Sequence, residues 1–179
     1  MIEVVLRAVR VDVGTSTPLL LLEEVGGERV LPIFIGAPEA TAIAYALGNV
    51  ETPRPMSHDL LGNVIGALGA QLFSVEITEL VDNVFFANLR LLRENTEISV
   101  SARPSDAVAL ALRVGAPILV NDDLMASQGK ILRIEDDDDD DDLDDDGIVH
   151  DQADAPNEAE LVAELRDFLD TIRPEDFNQ

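Results

Sequence analysis

Apolar and polar residues alternate along the first part of the chain in a way that predicts three strands followed by a helix. Residues 4–13, 19–24 and 30–35 have the period of strands, with a change of phase near Ala8. Turn residues at 14–18 and the pair Gly26 and Gly27 separate these strands. Residues 38–47 then follow a helical period, which ends at Gly48.

The second half of the sequence repeats this plan. Residues 72–80, 84–92 and 97–102 read as strands, with Phe73, Val75 and Ile77 on one face of the first. Residues 104–114 read as a helix that ends at Gly115, and the prolines that open the two helices are 66 residues apart. We expect an α+β fold in which duplicated β-β-β-α units form a mixed sheet packed with helices. A chance match of short alternating strands is the alternative.

The segment between the halves predicts a further helix. Residues 52–56 form an extended, proline-containing connection, after which Ser57 is expected to cap a helix running to about Leu68. Its core-like stripe consists of Leu61, Val64, Ile65 and Leu68. A second face carries only Gly62, Gly66 and Gly69. Each glycine weakens a helix by about 1 kcal/mol relative to alanine, so we expect another backbone, from the sheet or a second subunit, to pack there.

The C-terminal quarter differs in composition. Residues 118–120 and 121–127 predict a short strand and a short helix, which complete a folded domain of residues 1–134. Ten aspartates at 136–142 and 144–146 repel one another, so residues 135–156 are expected to be an acidic, disordered linker. Residues 157–179 begin with a capping-box pattern at Asn157 and Glu160 and contain an apolar stripe from Leu161 to Ile172. This pattern predicts an amphipathic helix that docks on the core or on a partner.

Composition narrows the class of protein. The 179 residues are 46% hydrophobic, enough for one core, and without cysteine the chain has no disulfide, thiolate metal site or cysteine nucleophile. No apolar run approaches the about 18 residues of a membrane span, and the charged, strand-like start is unlike a signal peptide. We therefore expect a cytoplasmic protein that does not bind membranes.

The charge is unevenly distributed. Of the formal net charge of −24, residues 1–134 carry −6, from 10 basic and 16 acidic side chains, and residues 135–179 carry −18. Lys130 is the single lysine, and neither part has the clustered basic residues of a strong nucleic-acid binder. Charge alone therefore argues against strong binding of nucleic acid.

Three predicted helices begin with an acid in the first turn: Glu39, Asp59 and Asp106. An acid there stabilises the helix dipole by about 0.3–1 kcal/mol, so each could be purely structural. Their neighbours suggest chemistry, because His58 precedes Asp59 and is the one histidine outside the C-terminal region.

Arg103 stands beside two polar residues, Ser105 and Asp106, at the start of the last long helix. A guanidinium at a helix N-terminus can bind phosphate. The alternative is that Arg103 pairs with a neighbouring carboxylate and has a structural role.

Three sequence blocks carry a resemblance to a known family: LPIFIGAPEATAIAYAL, RPMSHDLLGNVIGALGA and SARPSDAVALALRVGAPILV. Together with the strands between them they span residues 2–132 and resemble the bifunctional nuclease domain, and RDFLDTIRPEDF resembles the ending of actinobacterial members. The resemblance implies hydrolysis of phosphodiester bonds in DNA and RNA without sequence preference. The positions in this chain that match the family's motifs are Glu39, His58, Asp59, Arg103, Ser105 and Asp106.

Two functions remain open from the sequence. In the first, Glu39, Asp59 and Asp106 supply ligands for Mg²⁺ or Mn²⁺, His58 activates water and Arg103 holds the phosphate of a nucleic-acid substrate. In the second, the chain is a non-catalytic oligomeric regulatory module that binds a small anion or a protein. In both we expect a homo-oligomer, a dimer.

The aspartate run generates a first prediction. If it competes with phosphate for the domain, a variant lacking residues 135–146 will bind nucleic acid more tightly at low salt, because the −18 carried after residue 134 repels phosphates. Filter binding over a salt series measures this. Unchanged binding at low salt would leave the run as a device for solubility.

Overall fold

A computed structural model of the protein describes residues 1–12 and 14–131, and residues 1–131 form a compact unit. Its eight strands and four helices follow the chain in the order β1 (Ile2–Asp12), β2 (Thr17–Glu24), β3 (Arg29–Phe34), α1 (Ala37–Leu47), α2 (Ser57–Ala67), β4 (Gln71–Val81), β5 (Val84–Arg93), β6 (Thr96–Ala102), α3 (Pro104–Val114), β7 (Ile118–Val120), α4 (Asp122–Gln128) and β8 (Lys130–Ile131). None of these helices is long and apolar enough to cross a membrane.

The strands form one mixed sheet in the order β6-β5-β4-β7-β1-β2-β3-β8. Among the described strands, only β4 and β7 pair in parallel, and the remaining pairs are antiparallel. The predicted α+β class is confirmed. Each set of three antiparallel strands is followed by a helix, whereas their origin by duplication stays a prediction.

Local turn chemistry follows the sequence closely. Both hairpins of the second strand set have two-residue loops with positive φ, 49° and 62° at Asp82 and Asn83 and 48° and 63° at Glu94 and Asn95. These values are typical of the type I′ turn, whose twist matches that of paired strands. The expected change of phase in the first strand is also confirmed, because the register between β1 and β2 shifts just before Ala8.

The core lies between the sheet and the helices α1 and α3. Alternate residues of the strands are fully buried, among them Leu20, Leu22, Val75 and Ile77, and they share one cluster with Ile43 of α1 and Leu110 of α3. Both helices open with proline in the first turn, at extended caps Gly36 and Arg103. The packing of α1 against α3 brings these first turns close together.

The predicted alternation of buried and exposed residues in strand β4 is wrong at one end. Phe73 is 40% exposed whereas Ser74 is buried, the reverse of the predicted alternation. The pairing of β4 with β5 shifts register between Leu72 and Ser74, so residues before the irregularity change face. Val75 and Ile77, beyond the shift, are buried as expected.

Two expectations for helix α2, its N-cap residue and its buried face, are also wrong. Its N-cap is Met56, whose N–H donates to an Asp59 side-chain oxygen at 2.8 Å, and Ser57 is the first helical residue. The stripe expected in the core is mostly exposed, with Leu61 at 38%, Val64 at 45% and Leu68 at 60% exposure. Of the glycine face, only Gly62 lies against the domain, and Gly66 and Gly69 are exposed.

Gly62 explains this orientation of α2. A Cβ at Gly62 would lie 3.4 Å from Val114 Cγ1 and 3.7 Å from Leu110 Cδ1, both on α3, whereas a Cβ at Gly66 would meet nothing within 4 Å. The bare surface at Gly62 lets α3 approach, so the leucine side of α2 is left outside.

Strand β6 lies at one edge of the described sheet, and every residue of it before Ala102 is exposed. The predicted linker at 135–156 and the predicted helix at 157–179 lie outside the described residues, as does the end of the predicted domain at 134.

The two glycine environments predict opposite responses to the same substitution. Gly62→Leu should destabilise the fold by about 1–3 kcal/mol, because the larger side chain must displace Val114 and Leu110. Gly66→Leu should be neutral or stabilising by up to about 1 kcal/mol, since leucine favours the helix and meets open space. Urea unfolding of both variants measures the difference, and equal effects would contradict the described packing of α2.

Candidate active site

The first turns of α1, α2 and α3 meet at the predicted site. Glu39 is the third residue of α1, His58 the second of α2 and Asp106 the third of α3, and Arg103 is the N-cap of α3. Contacts among these four side chains connect the three helix N-termini. Each N-terminus has unpaired backbone N–H groups and a partial positive charge, so their convergence favours an anion.

Arg103 links two of the acids. Its Nε donates to Asp106 Oδ2 at 2.8 Å, and its Nη2 lies 3.2 Å from Asp106 Oδ1 and 2.9 Å from Glu39 Oε1. In the described part of the chain no hydrogen bond involves Nη1, and the side chain is 65% exposed. The guanidinium is therefore fixed on one edge and accessible on another.

His58 contacts the same carboxylate, with Nε2 at 3.2 Å from Asp106 Oδ1 and a side chain only 14% exposed. Burial opposes ionisation of Asp106, but hydrogen bonds from Arg103 and His58 outweigh it and hold the pKa of that carboxyl below its usual value. An ionised carboxylate only accepts, so in this contact Nε2 carries the proton. A neutral His58 ring then has its lone pair on Nδ1, where it can accept a proton from water.

Glu39 is largely enclosed, with 18% of its side chain exposed. Its carboxylate folds back over the helix cap, and a Cβ at position 36 would collide with Glu39 Oε2. Gly36 therefore leaves room for the Glu39 carboxylate to reach Arg103. Ser105 is only 6% exposed, so the accessible group of this turn is Arg103.

Asp59 is held separately from the other acids. Its Oδ1 accepts a 2.5 Å hydrogen bond from Arg113 Nε, and its Oδ2 accepts from Met56 N–H. Burial opposes ionisation of Asp59, but the bonds from Met56 and Arg113 prevail, and the pKa of the carboxyl is lowered. Of the predicted residues, the structure thus brings Glu39, His58, Arg103 and Asp106 together and pairs Asp59 elsewhere.

The carboxylates do not form a ready metal site. Within residues 1–12 and 14–131, no three His, Cys, Asp or Glu side chains are grouped as metal ligands would be. Arginines bind Glu39, Asp59 and Asp106, so a hard cation would have to displace a guanidinium. The arrangement does not fit Mg²⁺ or Mn²⁺ as it stands, and the cation stays a prediction.

Sequence reasoning did not single out Arg113. A signal for it was present, because Arg113 follows Asp106 by seven residues and so lies on the same face of α3. That face includes the fully buried Ala109, which makes an arginine at 113 unusual.

Comparison with known proteins identifies the family. The sequence profile described as the bifunctional nuclease domain matches residues 20–133, which include every predicted site residue. The chain belongs to the bifunctional nuclease domain family. The resemblance of the three sequence blocks to this family is therefore confirmed.

Relatives in this family include bacterial and plant proteins. An uncharacterized protein of Mycobacterium tuberculosis strain H37Rv is 43% identical over 175 residues, 98% of this chain and 97% of that protein. Bifunctional nuclease 1 of Oryza sativa subsp. indica is 30% identical over 121 residues, 66% of this chain and 37% of its own length. Bifunctional nuclease 2 of Arabidopsis thaliana is 27% identical over 168 residues, 87% of this chain and 50% of its own. The chain thus spans half or less of these plant relatives.

The lowered pKa of Asp106 predicts a pH-dependent stability. Since its folded pKa lies below the ordinary 3.8, the ionised carboxylate stabilises the fold above about pH 4, and this contribution is lost as the pH falls through the folded pKa. Asp106→Asn removes that term, so its stability should fall less than that of the wild type between about pH 6 and about pH 3. Urea unfolding at several pH values provides the test, and identical slopes would contradict the described environment of Asp106.

Proposed function

We infer that this chain hydrolyses phosphodiester bonds in DNA and RNA without sequence preference. Membership in a nuclease family supports this activity, and the observation that carries it is the His58 and Asp106 pair beside the accessible guanidinium of Arg103. A general base, a residue that orients it and a phosphate ligand are thus adjacent.

His58 acts as the general base in this proposal. Asp106 holds the Nε2–H edge of the ring, so Nδ1 takes a proton from water while the water oxygen bonds to phosphorus. The bond from phosphorus to the leaving sugar oxygen breaks, and the imidazolium returns its proton to that oxygen. The charge of Asp106 stabilises the imidazolium between these two events.

Arg103 binds the phosphate. Its two Nη1–H groups point away from the bonds to Asp106 and Glu39, and the neighbouring helix N-termini add positive partial charge. Contacts of this kind engage the phosphate rather than the edges of the bases, which accounts for cleavage that ignores sequence. The few basic residues of the chain predict weak binding that is sensitive to salt.

A specific observation also favours the second function, a non-catalytic module. The carboxylates Glu39, Asp59 and Asp106 are each neutralised by an arginine, as in a structural network that joins helix starts. In that case the convergent N-termini bind a small anion, and Arg103 contributes affinity instead of catalysis.

Assembly into a homo-dimer belongs to either function. The exposed leucines of α2 support it, because no charged side chain lies between Leu60 and Ala70 in a chain with a net charge of −24. Two copies could therefore approach through α2 without burying charge, and light scattering after gel filtration measures the mass.

Substitutions at the site separate the two functions. With purified protein and both plasmid DNA and a labelled RNA as substrates, His58→Ala should slow cleavage about 10²–10⁴-fold, because the general base is lost. Arg103→Ala should also reduce cleavage, whereas Arg90→Ala is the matched control. Arg90 likewise pairs with two carboxylates, Glu76 and Glu97, outside the site.

The same assay tests the cation when it is run with Mg²⁺, with Mn²⁺ and with a chelator. Full cleavage by His58→Ala would remove His58 from the mechanism. The non-catalytic module would be favoured if neither the wild type nor any variant cleaves nucleic acid, and if the wild type binds phosphate but Arg103→Ala does not.

A further inference from the structure

The helix that carries His58 is held to the domain by few apolar contacts. None of the residues of α2 is buried, and its main packing surface is the bare face at Gly62. Ile65 is the one α2 side chain that joins the edge of the core. The position of the first turn of α2, and with it the ring of His58, therefore depends on polar contacts.

Arg113 supplies the most constrained of these contacts. Its Nε donates to Asp59 Oδ1 at 2.5 Å, Nη1 to the carbonyl of Ala109 at 2.8 Å and Nη2 to the carbonyl of Ala42 at 2.9 Å. These partners lie on α2, α3 and α1 respectively, and the arginine side chain is 10% exposed. One planar group thus joins the three helices whose N-termini form the site.

Asp59 transmits this constraint to the start of α2. One oxygen of its carboxylate binds Arg113, and the other accepts the Met56 N–H that opens the helix. A shift of Asp59 would move the first turn and the adjacent His58, whose ring must remain 3.2 Å from Asp106. His58 and Asp59 are adjacent in the first turn of α2 and bind opposite ends of α3. His58 contacts Asp106 near the start of α3, and Asp59 accepts from Arg113 near its end.

We propose that Arg113 and Asp59 are a pair of positioning residues, which set the orientation of the His58 ring at the site without touching substrate. This inference rests on the proposed function for its kinetic consequence only. It assigns Asp59 a role other than that of a catalytic group or metal ligand. Lysine cannot replace Arg113, because a single ammonium cannot donate in the three fixed directions of the guanidinium plane.

Nuclear magnetic resonance tests the pair independently of activity. The chain has two histidines, so the ring-proton signals of His58 are assigned by their loss in His58→Ala and then followed in the other variants. Arg113→Lys should shift or broaden the His58 signals. Arg90→Lys is the matched control, since Arg90 donates to Glu97 at 2.8 Å. Its neighbours in sequence, Leu89 and Leu91, are buried in the core, so Arg90 lies on the opposite face of the sheet.

Asp59→Asn is a second variant, and it is expected to fold. The asparagine oxygen can still accept from Met56 N–H, so the helix start is retained while the ion pair with Arg113 is lost. This variant should change the His58 signals in the same direction as Arg113→Lys. Unchanged His58 signals in both variants would overturn the proposal.

Kinetics and metal binding complete the test. A displaced base lowers the rate of the chemical step, so kcat for nucleic-acid cleavage should fall by about 10²-fold in both variants with KM little changed. Loss of Mn²⁺ binding in Asp59→Asn but not in Arg113→Lys, measured by calorimetry, would identify Asp59 as a ligand and overturn the assignment. If the wild type cleaves no nucleic acid, the proposed function fails, and the His58 signals still decide the role of Arg113.

Discussion

The short strand β7 is the constraint on which the rest of the domain depends. Ile118 pairs with Val4 of β1 on one side and with Val75 of β4 on the other, so three residues join two separate sets of strands into one sheet. The helices that follow these sets then pack against each other over that sheet. Without this junction Glu39 and Arg103, which belong to different halves of the chain, would not meet.

Much of the fold could be predicted because it depends on local sequence patterns. Strand alternation, the proline at each helix start and the two-residue turns depend on neighbours within a few positions, and the structure agrees with them. The central position of β7 could not be predicted, because a strand of three residues has no period that selects its partners. The orientation of α2 also escaped prediction: Leu61 and Val64 look like core residues until Gly62 is seen to contact α3.

The candidate site divides in the same way. Residue type and position at a helix start sufficed to select His58 and Asp106, since capping and catalytic groups share those positions. The separation of the acids into two arginine pairs was not predictable, because Arg113 reaches α2 and α1 only through tertiary packing. The mild charge of residues 1–134 likewise gave no sign that three helix N-termini would supply the positive potential.

The exposed strand β6 has a practical consequence for the protein in solution. Within residues 1–12 and 14–131, no strand pairs with the outer edge of β6, so its backbone groups can pair with another strand, and the exposed Ile98 and Val100 add apolar surface. At neutral pH the net charge of −24 keeps molecules apart. Acidification to the isoelectric point, near pH 4.1, neutralises that charge while leaving the edge in place, so turbidity near that pH is expected from sheet-to-sheet association at β6.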